Sequence, residues 1–206
     1  MVKKILLLIF ACAGCASIGS GQGSIRYLSN ITNEFGGEMF FGSDHWIGQS
    51  FETGTNAFGY TLDFFAMEGL GAPGSSSSIY ADRSGIPGSN LGGIGISLLP
   101  STTYWIVVTA DVAAPTAPAN YNFVDYAADA TFYSQDNWMV DTETATFATS
   151  NDGLSWIAYG AQSSHGPFKF GISATAIPEP GIISLTFFLG LFVMATRWNS
   201  SPTSSR

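Results

Sequence analysis

The sequence TTYWIVVTA, Thr102 to Ala110, carries the strongest β signal in the chain. Aromatic and β-branched side chains favour the pleated backbone of a strand. The run is about one strand long and almost continuously apolar, which predicts a central strand buried on both faces. Further runs of strand composition lie on both sides of it: Ile25–Asn30, Trp46–Gly54, Tyr60–Met67, Ser77–Asp82, Tyr121–Tyr126 and Gly166–Ala176.

Turn signals separate these runs. DRSGIPGSNLGG, residues 82 to 93, is so rich in turn residues that we interpret it as a turn. Asn151-Asp152-Gly153 lies between two apolar, alternating arms and predicts a hairpin, because Asp-Gly tolerates positive φ angles. Short strands at this spacing, with no long helix before residue 181, predict an all-β fold of the β-sandwich or jelly-roll kind over residues 22–176.

The composition excludes one class of partner. Within the predicted domain Arg26, Arg83 and Lys169 are opposed by 14 acidic residues between Glu34 and Asp152. Such a surface repels phosphate backbones, so we expect no nucleic-acid partner.

The first residues resemble a secretory leader. Lys3 and Lys4 precede the apolar run Ile5–Ala11, and small residues follow. This order predicts a signal peptide over residues 1–21, since the apolar run is too short to span a membrane. Both cysteines, Cys12 and Cys15, lie in this segment, which leaves open whether Cys15 carries a lipid.

No motif predicts catalysis or a cofactor. Gly69–Gly74 matches G-x-G-x-x-G, but Pro73 and a serine run follow where the dinucleotide motif needs a helix. His45 and His165 lie in unrelated sequence contexts. A hydrolase built on these two histidines is the weakest of three functional hypotheses, behind a structural or adhesive protein and a carbohydrate-binding module. We expect a protein that is not an enzyme.

Several acidic side chains fall in one region: Asp125, Asp129, Asp136, Asp141 and Glu143. Calcium needs about six to eight oxygens from a loop that can wrap around it, and no such loop pattern is present. We therefore predict a solvated acidic face and no metal site.

Four tryptophans lie in the predicted domain: Trp46, Trp105, Trp138 and Trp156. Trp105 is predicted to be core from its neighbours. Aromatic residues dominate cores of this kind, so we favour the core for the set; the alternative is that exposed rings form a platform for a sugar. Trp138, which follows Gln135-Asp136-Asn137, is the best candidate for exposure, and we group it with Trp156 as a possible glycan platform.

The C-terminal segment 177–206 allows three interpretations: an anchor, a core segment or an address label. Gly181–Thr196 contains no charge, and as a helix it would span about 24 Å against roughly 30 Å of hydrocarbon. Arg197 and Trp198 would flank a short transmembrane helix at the interface. Pro178 and Pro180 predict an extended, exposed stretch instead of core.

Ile177-Pro178-Glu179-Pro180, the apolar stretch and Arg197 together closely resemble the PEP-CTERM sorting signal of Gram-negative bacteria. The resemblance implies that an exosortase, a membrane-embedded transpeptidase, recognises Pro178, Glu179 and Pro180. It also implies export across the inner membrane, and a place in the cell envelope or in an exopolysaccharide or biofilm matrix.

The body of the chain resembles the choice-of-anchor domains, which are extracellular β-rich modules. The residues that carry this likeness are QSFETG (49–54), GYTL (59–62), DRSGIPGSNL (82–91), LLPSTTYWIVV (98–108) and GPFKFGISATA (166–176). The likeness implies no catalytic residues. We expect a structural or adhesive role, with a carbohydrate-binding module that docks matrix polysaccharide as the alternative.

Overall fold

A computed structural model describes residues 23–70, 74–111, 113, 122–140, 147–160 and 167–179. These residues form strands and connecting turns, with no helix in the described ranges, so the all-β prediction is confirmed. One compact unit runs from Gly23 to Ile177, called the folded unit below. The predicted signal peptide and transmembrane helix lie outside the described residues.

The strands are, in chain order, β1 (Ile25–Ser29), β2 (Phe35–Phe40), β3 (Trp46–Glu52), β4 (Tyr60–Met67), β5 (Gly69–Leu70), β6 (Ser75–Asp82), β7 (Pro87–Gly92), β8 (Ser97–Leu98), β9 (Thr103–Ala110), β10 (Phe123–Ala127), β11 (Tyr133–Ser134), β12 (Phe147–Ser150), β13 (Trp156–Tyr159) and β14 (Phe170–Ala176). They form three antiparallel sheets, ordered β11-β1-β14-β4-β8, β2-β10-β5 and β13-β12-β3-β9-β6-β7.

Strand β9 lies inside the six-stranded sheet, between β3 and β6. Five consecutive residues, Tyr104–Val108, are buried, so side chains on both faces of the strand are covered. The prediction of a central strand buried on both faces is confirmed. Trp105 is fully buried, which confirms its assignment to the core.

The main core lies between the five-stranded and six-stranded sheets. Leu28, Leu62 and Ile172 of the first sheet belong to one buried cluster with Ile79 and Ile106 of the second. Alternating strand side chains point to opposite faces, so each sheet contributes every second residue to this cluster.

Two local predictions were wrong. Residues 82–93 are not only a turn, because Pro87–Gly92 forms β7 and pairs with β6 through an irregular register. The strand β2 was not predicted at all. Its sequence FGGEMF contains two glycines, and it is ordered by pairing with β10.

The strand registers define two ends of the folded unit. At the C-terminal end, Ala176 pairs with Tyr60 and Tyr60 with Leu98, while Ser101 N–H donates to Gly54 O at 2.8 Å. At the other end, called the distal end, Trp46 pairs with Ser150 and Ser150 with Trp156. Strand β3 runs from Trp46 to Glu52, a length of about 20 Å between the two ends.

Candidate functional site

The last residue held in the folded unit is Ile177. Its N–H donates to Gly59 O at 3.0 Å. The Asn56 side-chain amide donates to Ile177 O at 3.1 Å and to Gly59 O at 2.8 Å, which fastens the end of β14 to the loop before β4. The predicted sorting triplet therefore begins one residue after this fastening.

Pro178 and Glu179 are exposed and belong to no strand. This agrees with the extended, accessible stretch that the prolines predict. Pro180, Arg197 and Trp198 lie outside the described residues, and so does the predicted apolar helix. Within the described ranges, none of the chain forms a helix able to cross a bilayer.

Trp138, the best candidate for an exposed tryptophan, is buried, with an exposed fraction of 0%. Its ring stacks on Tyr27 and Phe51 with centroids 5.1 and 5.9 Å away, and meets Tyr60 edge-on at 5.0 Å. Trp138 therefore cannot take part in a glycan platform.

The local chain geometry explains this burial. Asp136 and Asn137 have φ angles of 52° and 60°, and Trp138 N–H donates to Gln135 O at 3.0 Å, which closes a tight turn. This left-handed pair is tolerated by Asp and Asn. The Tyr60 hydroxyl donates to Asp136, and burial together with this bond raises the pKa of Tyr60 to about 12. Asp136 and Asn137 therefore form the turn, while the Trp138 ring is buried between the sheets.

Trp156 is the predicted platform residue that stays accessible. It begins β13 at the distal end and is half-buried, packed beside Trp46 against the outer face of the six-stranded sheet. Its indole Nε1–H donates to Gly153 O at 3.2 Å, which fixes the ring orientation. The ring packs over Gly48, where a Cβ would lie 3.5 Å from Trp156 Cζ3, an ordinary van der Waals distance.

The predicted hairpin is confirmed between β12 and β13, and its loop is held by Asp152. The Asp152 carboxylate accepts the backbone N–H groups of Ser155 at 2.7 Å and Leu154 at 2.8 Å. These bonds lower the pKa of Asp152 to about 2. Gly153 has φ +71°, and its backbone lies against the Trp46 ring. The loop beside Trp156 is therefore ordered by its own residues.

A cavity of about 310 Å³ opens beside this loop. The Trp156 ring and Ile157 form the apolar part of its walls. Short polar side chains form the rest, namely Thr149, Ser150, Asn151, Asp152 and Ser155. Small-molecule sites usually measure roughly 300 to 1,000 Å³ and combine apolar walls with a few polar groups. We call this cavity the distal site. Sequence reasoning found Trp156 and the Asn-Asp-Gly turn separately but did not place them together.

A second polar cluster lies between strands of the five-stranded and three-stranded sheets. Lys169 Nζ is 2.7 Å from Glu68 Oε2, and Lys169 is buried. Asp125 lies beside this pair, and burial together with the charges of Glu68 and Glu38 raises its pKa. Backbone bonds of 2.8 to 2.9 Å link Glu68, Asp125 and Lys169 in a closed ring. These backbone bonds hold neighbouring strands together, so we interpret the cluster as structural.

The other polar residues considered from the sequence are described only in part. His45 bridges to Gly42 through backbone bonds, while His165, Asp141 and Glu143 lie outside the described residues. Among the described residues, no group of three acidic, histidine or cysteine side chains could hold a metal ion.

Comparisons with known proteins found no match to this chain among family models, curated proteins or solved structures.

Proposed function

We propose that this chain is an exported, non-catalytic β-sandwich that is sorted to the cell envelope or extracellular matrix of a Gram-negative bacterium. A membrane-embedded transpeptidase of the exosortase kind recognises Pro178, Glu179 and Pro180. The domain then has a structural or adhesive role in the exopolysaccharide or biofilm matrix. The apolar segment that follows contacts the membrane at least until processing.

The observation that carries this proposal is the position of the triplet. Pro178 and Glu179 are exposed immediately after Ile177, the last residue that Asn56 fastens. A processing enzyme needs an accessible peptide without secondary structure, and a membrane enzyme needs that peptide close to an apolar segment. The chain supplies both within a few residues. The five-stranded and six-stranded sheets pack against each other over a shared buried cluster, which supports the β-sandwich part of the proposal.

The sorting step is tested with a Glu179→Gln variant expressed in cells that contain the transpeptidase. Glu34→Gln is the matched control, because Glu34 is also exposed but lies far from the triplet in sequence. Pulse-chase labelling measures conversion of precursor to the shorter mature form. We expect Glu179→Gln to accumulate precursor and Glu34→Gln to be processed normally. Equal processing of both variants would contradict recognition of the triplet.

A second function is supported by the distal site. Trp156 offers part of a ring to solvent beside the polar walls of the cavity, which is how proteins stack an apolar sugar face and bond its hydroxyls. The site lies at the end of the folded unit opposite Ile177. We propose a matrix polysaccharide as its ligand.

A glycan array probed with residues 23–177 tests this second function. Trp156→Ala should weaken binding by about tenfold or more, because stacking supplies much of the contact energy. Leu154→Ala is the matched control, since Leu154 is 77% exposed in the same loop but does not line the cavity. Binding that Trp156→Ala leaves unchanged, or no binding by the wild type, would remove the basis for a glycan site.

A further inference from the structure

Three exposed apolar side chains lie at the C-terminal end of the folded unit. Ile25, Phe58 and Leu99 have exposed fractions of 37%, 42% and 65%. We call these three residues the apolar rim.

Backbone contacts place the rim around the point where the chain leaves the folded unit. Phe58 lies in the turn closed by Gly59 N–H to Asn56 O at 2.9 Å, and Gly59 O accepts the Ile177 N–H. A Cβ on Gly59 would lie 3.6 Å from Leu99 Cα, so the two loops are in contact.

Ile25 reaches the same end from another strand. It begins β1 and pairs with Ala174, two residues before the end of β14. The three apolar residues therefore come from three separate parts of the sequence and lie at the same end of the folded unit as Ile177.

The length of the chain beyond Ile177 limits where this end can be. Only Pro178, Glu179 and Pro180 separate Ile177 from the uncharged segment 181–196. Four residue steps span at most about 14 Å. If the uncharged segment enters a bilayer, Ile177 must lie within about that distance of the lipid interface, and the rim lies beside Ile177.

Two acidic side chains near this end are engaged in hydrogen bonds. Asp136 accepts a hydrogen bond from the Tyr60 hydroxyl, and Asp63 accepts one from Thr175 Oγ1 at 2.7 Å. The rim itself is uncharged. The acidic balance of the folded unit disfavours anionic lipid, which leaves a zwitterionic surface as the compatible partner.

We propose that the apolar rim is a lipid-contacting surface that seats the C-terminal end of the folded unit on a zwitterionic phospholipid interface before the tail is processed. Phe58 and Leu99 reach into the interfacial layer, where apolar side chains on a short tether gain burial without a second membrane segment. The inference rests on the proposed function, because the tail must enter the membrane first. It deepens that function by naming a second contact between the precursor and the membrane.

The test uses the full chain in phosphatidylcholine vesicles, with Cys12→Ser and Cys15→Ser so that one introduced cysteine carries an environment-sensitive fluorophore. The three labelled variants are Leu99→Cys at the rim, Leu154→Cys at the distal end, and Leu189→Cys in the tail. Leu99 and Leu154 form a matched pair, since both are exposed leucines in loops at opposite ends. Quenching by brominated lipid measures contact with the bilayer.

We expect strong quenching at position 189, and about twofold greater quenching at position 99 than at position 154. Quenching at 189 with equal, low values at 99 and 154 would overturn the rim but leave the membrane-bound tail intact. An absence of quenching at 189 would overturn both the rim and the tail's membrane contact. Phe58→Cys serves as a second rim position, and circular dichroism shows that each labelled variant is folded.

Discussion

Replacing Trp138 by Ala should remove a large part of the stability of the folded unit. Truncation of a buried Trp or Phe costs about 3–5 kcal/mol, which combines lost burial with the cavity left behind. Trp138 is fully buried and has three aromatic ring neighbours within 6 Å, so we expect the upper part of that range, about 4–5 kcal/mol.

The matched control is Trp156→Ala, because Trp156 is only half-buried at the start of an edge strand. It should cost about 1 kcal/mol. Urea unfolding of residues 23–177, followed by circular dichroism because a fluorophore is removed, measures both losses. Trp138→Phe, expected to lose about 1–3 kcal/mol, remains measurable if the alanine variant unfolds in water. Suppose that Trp138→Ala lowers the free energy of unfolding by less than about 2 kcal/mol, and by no more than Trp156→Ala does. That result would refute the place of Trp138 in the core.

Two further predictions concern the distal loop. Gly153→Ala should destabilise the folded unit more than Gly85→Ala. Both glycines have positive φ, which costs alanine about 1–2 kcal/mol of stability. Of the two, only a Cβ at position 153 would meet another residue, namely Trp46 at 2.7 Å. Thermal unfolding measures the difference, and equal losses would contradict the contact. The lowered pKa of Asp152 means that its carboxylate contributes stability above its ordinary pKa of 3.8, and that this contribution is lost as the pH falls towards about 2. The unfolding midpoints of wild type and Asp152→Asn should therefore converge between pH 4 and pH 2.5, and a constant gap would contradict the assignment.

The strongest strands could be predicted because their composition and burial agree. Strands β4 and β9 follow runs of aromatic and β-branched residues, and the hairpin follows Asn-Asp-Gly, whose geometry is local. Strand β7 (PGSNLG) has no aromatic or β-branched residue, and two adjacent glycines interrupt β2 (FGGEMF). They form because a neighbouring strand offers backbone partners, which no local window shows.

The candidate site was predicted only in part for a similar reason. Trp138 has polar neighbours that suggest exposure, but two residues with positive φ turn the chain so that its ring enters the core. Trp156 and the loop that forms the distal site become a cavity only through the pairing of β12 with β13. The apolar rim likewise joins Ile25, Phe58 and Leu99 across long sequence separations, which only the sheet registers reveal.

The central claim is that the chain is exported and sorted through its Pro-Glu-Pro segment. Intact-mass and C-terminal peptide mass spectrometry of the protein recovered from the surface or matrix of its native cells tests this claim most directly. We expect a mature C-terminus between Ile177 and Gly181, next to the exposed residues Pro178 and Glu179. Surface material that still ends at Arg206 would contradict sorting with removal of the tail, and would leave a permanently anchored protein in its place.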